Sequence, residues 1–175
     1  MKLGNRASGL AQRWGQLFVV LLALLVWSVP QEAIALPPQY APPLSFSNAE
    51  LRGRDFSGQT LRVAEFSNTN LENADFSNAN ARGAIFSASV MTHTSLHSAN
   101  LSDTMMDQTK FQETDFSDAV LVNAILLGSS FEDVDITGTD FTGALLDGAQ
   151  VKELCAIATG TNSQTGVSTR ESLGC

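Results

Sequence analysis

From Phe46 to Val151 a bulky apolar residue returns at every fifth position. The series opens Phe46, Leu51, Phe56, Leu61, Phe66, Leu71, Phe76 and closes Phe131, Ile136, Phe141, Leu146, Val151; of its 22 positions only Ala81 is small. Nine of the ten phenylalanines fall in this register. From Ala49 onward the residue two before each centre is small, as at Ala64, Ala74, Ala84 and Ala99, with Arg54, Gln59 and Val134 as departures. On an α-helix a five-residue step turns about 140° and scatters the apolar residues around the axis. On a flat strand an odd period sends successive centres to opposite faces. A chain that turns a corner every five residues keeps every centre inside. Repetition of this kind marks a solenoid.

The residue just before each centre, which did not define the register, tests how the coils stack. Ile85, Met105, Ile125 and Leu145 are spaced by twenty and therefore stack in one outward column. Asp55, Asp75, Asp115 and Asp135 fall in a second column, with Ser95 between them. Two columns that emerge only at a period of twenty support a coil of four five-residue sides.

The units ENADF, SNANA, HSANL and ETDFS resemble the A(D/N)LX pattern of the pentapeptide-repeat family. The resemblance implies an all-β solenoid, a right-handed quadrilateral β-helix with four pentapeptides per coil. Its 22 repeats make about 5.5 coils, a prism about 25 Å long at the usual strand spacing. The resemblance also implies that each centre and the small residue two before it point inward. The tail LCAIATGTNSQTGVSTRESLGC, Leu154 to Cys175, is similar to that of pentapeptide-repeat proteins of the thylakoid lumen.

The first 35 residues read as a leader rather than as domain. Lys2, Arg6 and Arg13 precede the apolar run Leu17–Trp27, and Ala33-Ile34-Ala35 is a small-x-small cleavage signal. The run is shorter than the roughly 20 residues that span a bilayer, so cleavage is expected and no membrane contact afterwards. Without a twin-arginine pair the Sec route is expected. The expected organisation is a signal peptide at 1–35, a proline-rich segment at 36–44, the β-helix at 45–153 and a C-terminal cap at 154–175.

Without the leader the chain carries 7 basic and 17 acidic residues, a net charge of −10. The imbalance is local: residues 44–100 sum to −1 and residues 101–153 to −9. Such a surface repels nucleic acid and anionic lipid. The two cysteines, Cys155 and Cys175, suggest one disulfide in an exported protein. VKELCAIATG reads as a short helix closed by Gly160, and Ser168-Thr169-Arg170-Glu171 fits a capping box before a second one.

Enzyme constellations are absent from the sequence: there is no phosphate-binding glycine loop, no CxxC and no HExxH. His93 and His97 are the only histidines, and the register turns them outward on consecutive sides. No catalytic residue and no cofactor is expected. Stacked carboxylates at Asp115 and Asp135, with Glu132 and Asp133 nearby, make a weak divalent-cation site one alternative. Local hydrogen bonding to following amides is the other. The apolar column of Ile85, Met105, Ile125 and Leu145, flanked by Leu127, is the candidate partner-binding or self-association surface. The expected function is a non-enzymatic interaction or scaffold protein of the thylakoid lumen or periplasm. An acidic DNA mimic that inhibits a DNA-binding enzyme is the competing class, and the leader argues against it.

Overall fold

The computed structural model describes residues 43–175. The leader at 1–35 and residues 36–42 of the proline-rich segment lie outside the described residues. Within them the chain winds as a β-helix with a period of twenty. The residue before each centre pairs in parallel with its counterpart one coil on, as in Ser45↔Glu65↔Ile85 and Asp55↔Asp75↔Ser95. On the side holding Met91, Phe111 and Phe131 the bridges lengthen into three strands. These are β1 (Val90–Thr92), β2 (Lys110–Gln112) and β3 (Ser130–Glu132). They form one parallel sheet in that order, with Met91 opposite Phe111 and Phe111 opposite Phe131.

The corners explain why five residues suffice for a side. The centre's carbonyl commonly accepts from the amide three residues on, as in Ala74 N to Leu71 O at 2.9 Å. The residue two past the centre then takes a left-handed conformation, as at Asn68 (φ 55°), Asn73 (φ 58°) and Asn78 (φ 58°). Asparagine and aspartate tolerate that region because their short side chains bond locally. Val63 also adopts it, at φ 53°, although it is β-branched.

Centres and the small residues two before them fill the interior from Phe56 to Phe141. Phenylalanines stack along the axis: Phe46 on Phe66 at 4.9 Å, Phe66 on Phe86 at 5.0 Å and Phe56 on Phe76 at 4.7 Å between ring centroids. Ala81, the small centre, is fully buried. Around it Phe76 meets Phe66 and Phe86 edge-on at 5.5 and 5.7 Å. Large rings thus occupy volume that a leucine at 81 would claim. Ala81→Leu is expected to be neutral or to destabilise by about 1–3 kcal/mol through overpacking. A melting temperature several degrees above the parent's would contradict this.

Hydroxyls add a second ladder that the register alone does not announce. Thr94, Thr109 and Thr139, all buried, donate to the carbonyls of Leu71, Phe86 and Phe116, each a centre of the preceding coil, at 2.8–2.9 Å. A small interior residue with a hydroxyl therefore gives these three centre carbonyls a second donor.

The β-helix stops earlier than its apolar register. Leu145 makes the last ladder bridge, and helix α1 runs Gly148–Ile157. Val151, expected as the twenty-second centre, lies within α1 and not in a coil. The physical reason is Asp147, whose carboxylate accepts from the amides of Ala149 and Gln150 while the Gln150 side chain accepts from the Asp147 amide. That capping box starts a helix where a sixth coil would continue. The cap thus begins at Gly148 rather than at Leu154, and α1 ends at Ile157 with Ala158 extended rather than at Gly160.

Three buried side chains of the cap replace the coil that is missing. Gln150 Nε2 donates to Leu126 O and Ser129 O, both at 2.8 Å. Asn162 Nδ2 lies 2.9–3.1 Å from the carbonyls of Asp118, Ala119 and Gly138. Thr169 Oγ1 reaches Ile136 O at 3.5 Å. Helix α2 spans Thr169–Leu173. Its N-cap residue Ser168 makes no side-chain capping bond, contrary to the capping box expected there; its backbone forms an antiparallel bridge with Thr161. Gly160 serves close approach instead. A Cβ there would meet Gly138 N at 2.8 Å, and its φ is 81°. Cys155 and Cys175 form the disulfide, with Cα atoms 5.7 Å apart, and tie α1 to the C-terminus. Among the described residues no helix is long and apolar enough to cross a membrane.

Candidate functional site

The side of the coil before Phe86 and Met106 carries the apolar column. Ile85, Met105, Ile125 and Leu145 are bridged one to the next, so their side chains leave the same surface at successive coils. Met105 is 42 % exposed, Leu145 52 % and the flanking Leu127 44 %, while Ile85 and Ile125 are half-buried between their neighbours. The structure therefore brings together all five residues expected for a partner-binding surface. Contiguous exposed apolar area of this kind marks an interaction site more often than isolated residues do. Val63 (54 %) and Val90 (38 %) are also exposed. Val90 is the one apolar residue of a column with Glu50, Asn70, Lys110 and Ser130, and Val63 lies at a corner, so neither extends an apolar column.

The aspartate column is built differently. Oδ1 of Asp55, Asp75 and Asp115 accepts from the amide and the hydroxyl of Ser57, Ser77 and Ser117, with the hydroxyl bonds at 2.6 Å. Asp135 accepts from the Thr137 amide at 2.9 Å. Each carboxylate thus holds its own corner, which offsets the repulsion between carboxylates stacked one coil apart. The Ser57 hydroxyl, then the Ser57 amide, hold the Asp55 carboxyl below its ordinary range. A lowered folded value means that the contribution is full above the unfolded value of about 3.9 and is lost as pH falls through the folded one. Ser57→Ala is expected to raise the Asp55 titration midpoint, read by carboxyl NMR; an unmoved midpoint would contradict the assignment.

Of the four cation-site candidates, Asp115, Asp133 and Asp135 line one open depression with Glu113 and Thr114, and Glu132 does not line it. Among the described residues no group of three or more histidine, cysteine, aspartate or glutamate side chains could hold a metal ion. His93 pairs with Glu113 at 3.0 Å, and His97 Nδ1 lies 2.8 Å from the Ser117 hydroxyl. The two rings serve different neighbours.

Two neighbouring outward positions of one column, Val120 at 7 % and Asp140 at 2 % exposure, depart from the outward rule. The tail reaches this side at Ser172, whose hydroxyl accepts from the Phe141 amide at 3.0 Å. Oδ1 of Asp140 accepts from the amide and hydroxyl of Thr142, the same arrangement as in the aspartate column. The Asp-x-Thr spacing announces that bond, whereas the tail makes a long-range contact with no local signal.

A family described as pentapeptide repeat region matches residues 59–141. Comparison with curated proteins finds no match. Among solved structures, a pentapeptide repeat protein from the thylakoid lumen of Arabidopsis thaliana is 35 % identical, with 74 % of this chain and 90 % of that one covered at a TM-score of 0.73. HetL, involved in heterocyst differentiation regulation in the cyanobacterium Nostoc sp. strain PCC 7120, is 19 % identical over 58 % of this chain and 45 % of its own, at a TM-score of 0.48. Rfr23, a pentapeptide repeat protein of the cyanobacterium Cyanothece 51142, is 20 % identical over 54 % of this chain and 75 % of its own, at a TM-score of 0.27. Repeat register, parallel ladder and lumenal likeness converge: the chain belongs to the pentapeptide-repeat family, whose fold is the right-handed β-helix.

Proposed function

We propose that this chain is a non-enzymatic interaction or scaffold module of the thylakoid lumen or periplasm. Its working surface is the outer face that carries Ile85, Met105, Ile125 and Leu145, with Leu127 beside them. The observation that carries this reading is the continuity of the column: four bridged apolar residues face outward on successive coils. Removing such area from water contributes about 25 cal/mol per Å². A rigid four-sided β-helix closed by a helical cap presents the face without an ordering cost.

The exported address rests on three supports: the leader signals, the disulfide, and the likeness to a lumenal protein. The acidic balance of residues 101–153 disfavours nucleic acid and anionic membrane as partners. The partner is a protein, either another chain or a second copy of this one.

Met105→Asp combined with Ile125→Asp places charge in the middle of the column without touching an interior centre. The double variant is expected to keep the parent's melting temperature within a few degrees and to lose its partner or its self-association. The readouts are mass by sedimentation and recovery of partners from intact cells. If mass and every recovered partner match the parent's, the column serves only to pack adjacent coils.

A further inference from the structure

The end of the β-helix does not receive the same cover from α1 along its whole length. Gln150, Leu154 and Ile157 lie four and three residues apart and so share one face of the helix. Gln150 caps Leu126 O and Ser129 O and is buried, and Leu154 is fully buried. Ile157, in the last turn, is 47 % exposed. The helix therefore closes the final coil at its start and stands away from it at its finish.

Between that last turn and the coil lies a cleft of about 340 Å³, lined by Phe131, Asp133 and Val134 from the coil and by Glu153, Leu154 and Ile157 from α1. Val134 holds an inward position whose counterparts one, two and three coils earlier, Thr114, Thr94 and Ala74, are smaller and buried, whereas Val134 is only half-buried. Interior apolar surface is thus presented to the cleft, whose volume falls within the range of roughly 300–1,000 Å³ usual for small-molecule sites. Its charge is of one sign. Asp133 and Glu153 are the only ionisable residues of the lining, and neither takes part in an ion pair among the described residues. Lys152, next to Glu153 in α1, does not line the cleft. Asp133 also borders the open depression that holds Glu113, Asp115 and Asp135. These carboxylates include no group of three that could hold a metal ion. Apolar walls between separated anionic groups suit a cation that is itself long and apolar between its charges.

We propose that this cleft binds a linear aliphatic polyamine. One ammonium group donates to the carboxylates of Asp133 and Glu153, and the methylenes that follow lie against Val134 and Ile157. The next ammonium group leaves the cleft past Asp133 and faces Asp135 in the depression. Complementary charge selects a cation over a neutral chain. Burial of the methylenes selects a carbon chain over a hydrated metal ion, which brings no apolar area to the walls. The site lies on α1 and the last coil, apart from the column of Ile85, Met105, Ile125 and Leu145, and does not depend on the role of that column.

The test titrates the whole folded protein with spermidine, and with magnesium chloride as a cation without methylenes, in the same dilute buffer. Spermidine is expected to bind saturably and to shift the methyl NMR signals of Val134, Leu154 and Ile157, and equimolar magnesium is expected not to displace it. Glu153→Gln and Asp133→Asn are each expected to weaken binding roughly tenfold, about 1.4 kcal/mol. The second of these keeps a residue suited to the left-handed corner, where φ is 50°. Ile157→Ala, which keeps every charge, is expected to weaken binding several-fold. Glu50→Gln removes the same charge from the first coil and should bind like the parent. Absence of saturable binding, displacement by equimolar magnesium, or methyl shifts only away from the cleft overturns the proposal. So does an unchanged affinity in Ile157→Ala, or a loss in Glu50→Gln equal to that in Glu153→Gln.

Discussion

Phe66→Ala is expected to lower the unfolding free energy by about 3–5 kcal/mol, the largest effect of any single interior change considered. Phe66 is fully buried and stacks on Phe46 below and Phe86 above. Phe56 and Phe76 also meet its ring edge-on, both at 5.5 Å. Four aromatic neighbours lose contact at once, and the backbone ladder of three coils prevents collapse into the gap. Phe46→Ala removes the same atoms from the first coil, where Phe46 is only partly buried, and should cost distinctly less. Urea unfolding of the two variants checks both the magnitude and the order. Equal losses would contradict an axial stack whose centre is better packed than its end.

Replacing Cys155 and Cys175 together with serine is expected to remove about 3 kcal/mol, the entropy contribution of a bond closing a loop of this length. The effect should be local as well as global, because in a solenoid each coil contacts only its neighbours. The cap supplies Thr159 O to the Gly138 amide at 2.9 Å and the Ser172 hydroxyl to the Phe141 amide at 3.0 Å. Hydrogen exchange at those two amides should accelerate, whereas amides of the early coils, such as Leu71, should keep the parent's rate under native conditions. Uniform acceleration along the chain would show that the bond holds the whole β-helix and not its cap.

Much of this architecture was legible because one rule, five residues to a side, repeats without interruption. The register placed the interior from Phe56 to Phe141, and the columns at a period of twenty support the four-sided coil independently of the family resemblance. The column of Ile85, Met105, Ile125 and Leu145 was legible for the same reason: coils stack, so residues a coil apart share a surface. The end of the β-helix was not. Val151 is apolar and in register, but the local capping box at Asp147 and Gln150 overrides it. Asp147 and Gln150 lie between centres, where the five-residue period carries no information.

The contacts made by the tail were hidden for a different reason. Asn162 reaches carbonyls of Asp118 and Ala119, more than forty residues earlier. Nothing near Asn162 announces that distance. Ser168 shows the reverse error, since its neighbourhood spells a capping box but its side chain makes no capping bond. The acidic column was readable as a column, while the serine two residues past Asp55, Asp75 and Asp115 carried the explanation. Those hydroxyls bond each carboxylate locally.

The central claim is that the lateral apolar face of the β-helix is an interaction surface. It is tested most directly by a photo-cross-linking residue at position 125, with a matched one at position 115 on the aspartate side, in protein exported by living cells. A discrete adduct of defined mass from position 125 and none from position 115 is the predicted result. No adduct from position 125, or the same adducts from both positions, would contradict it.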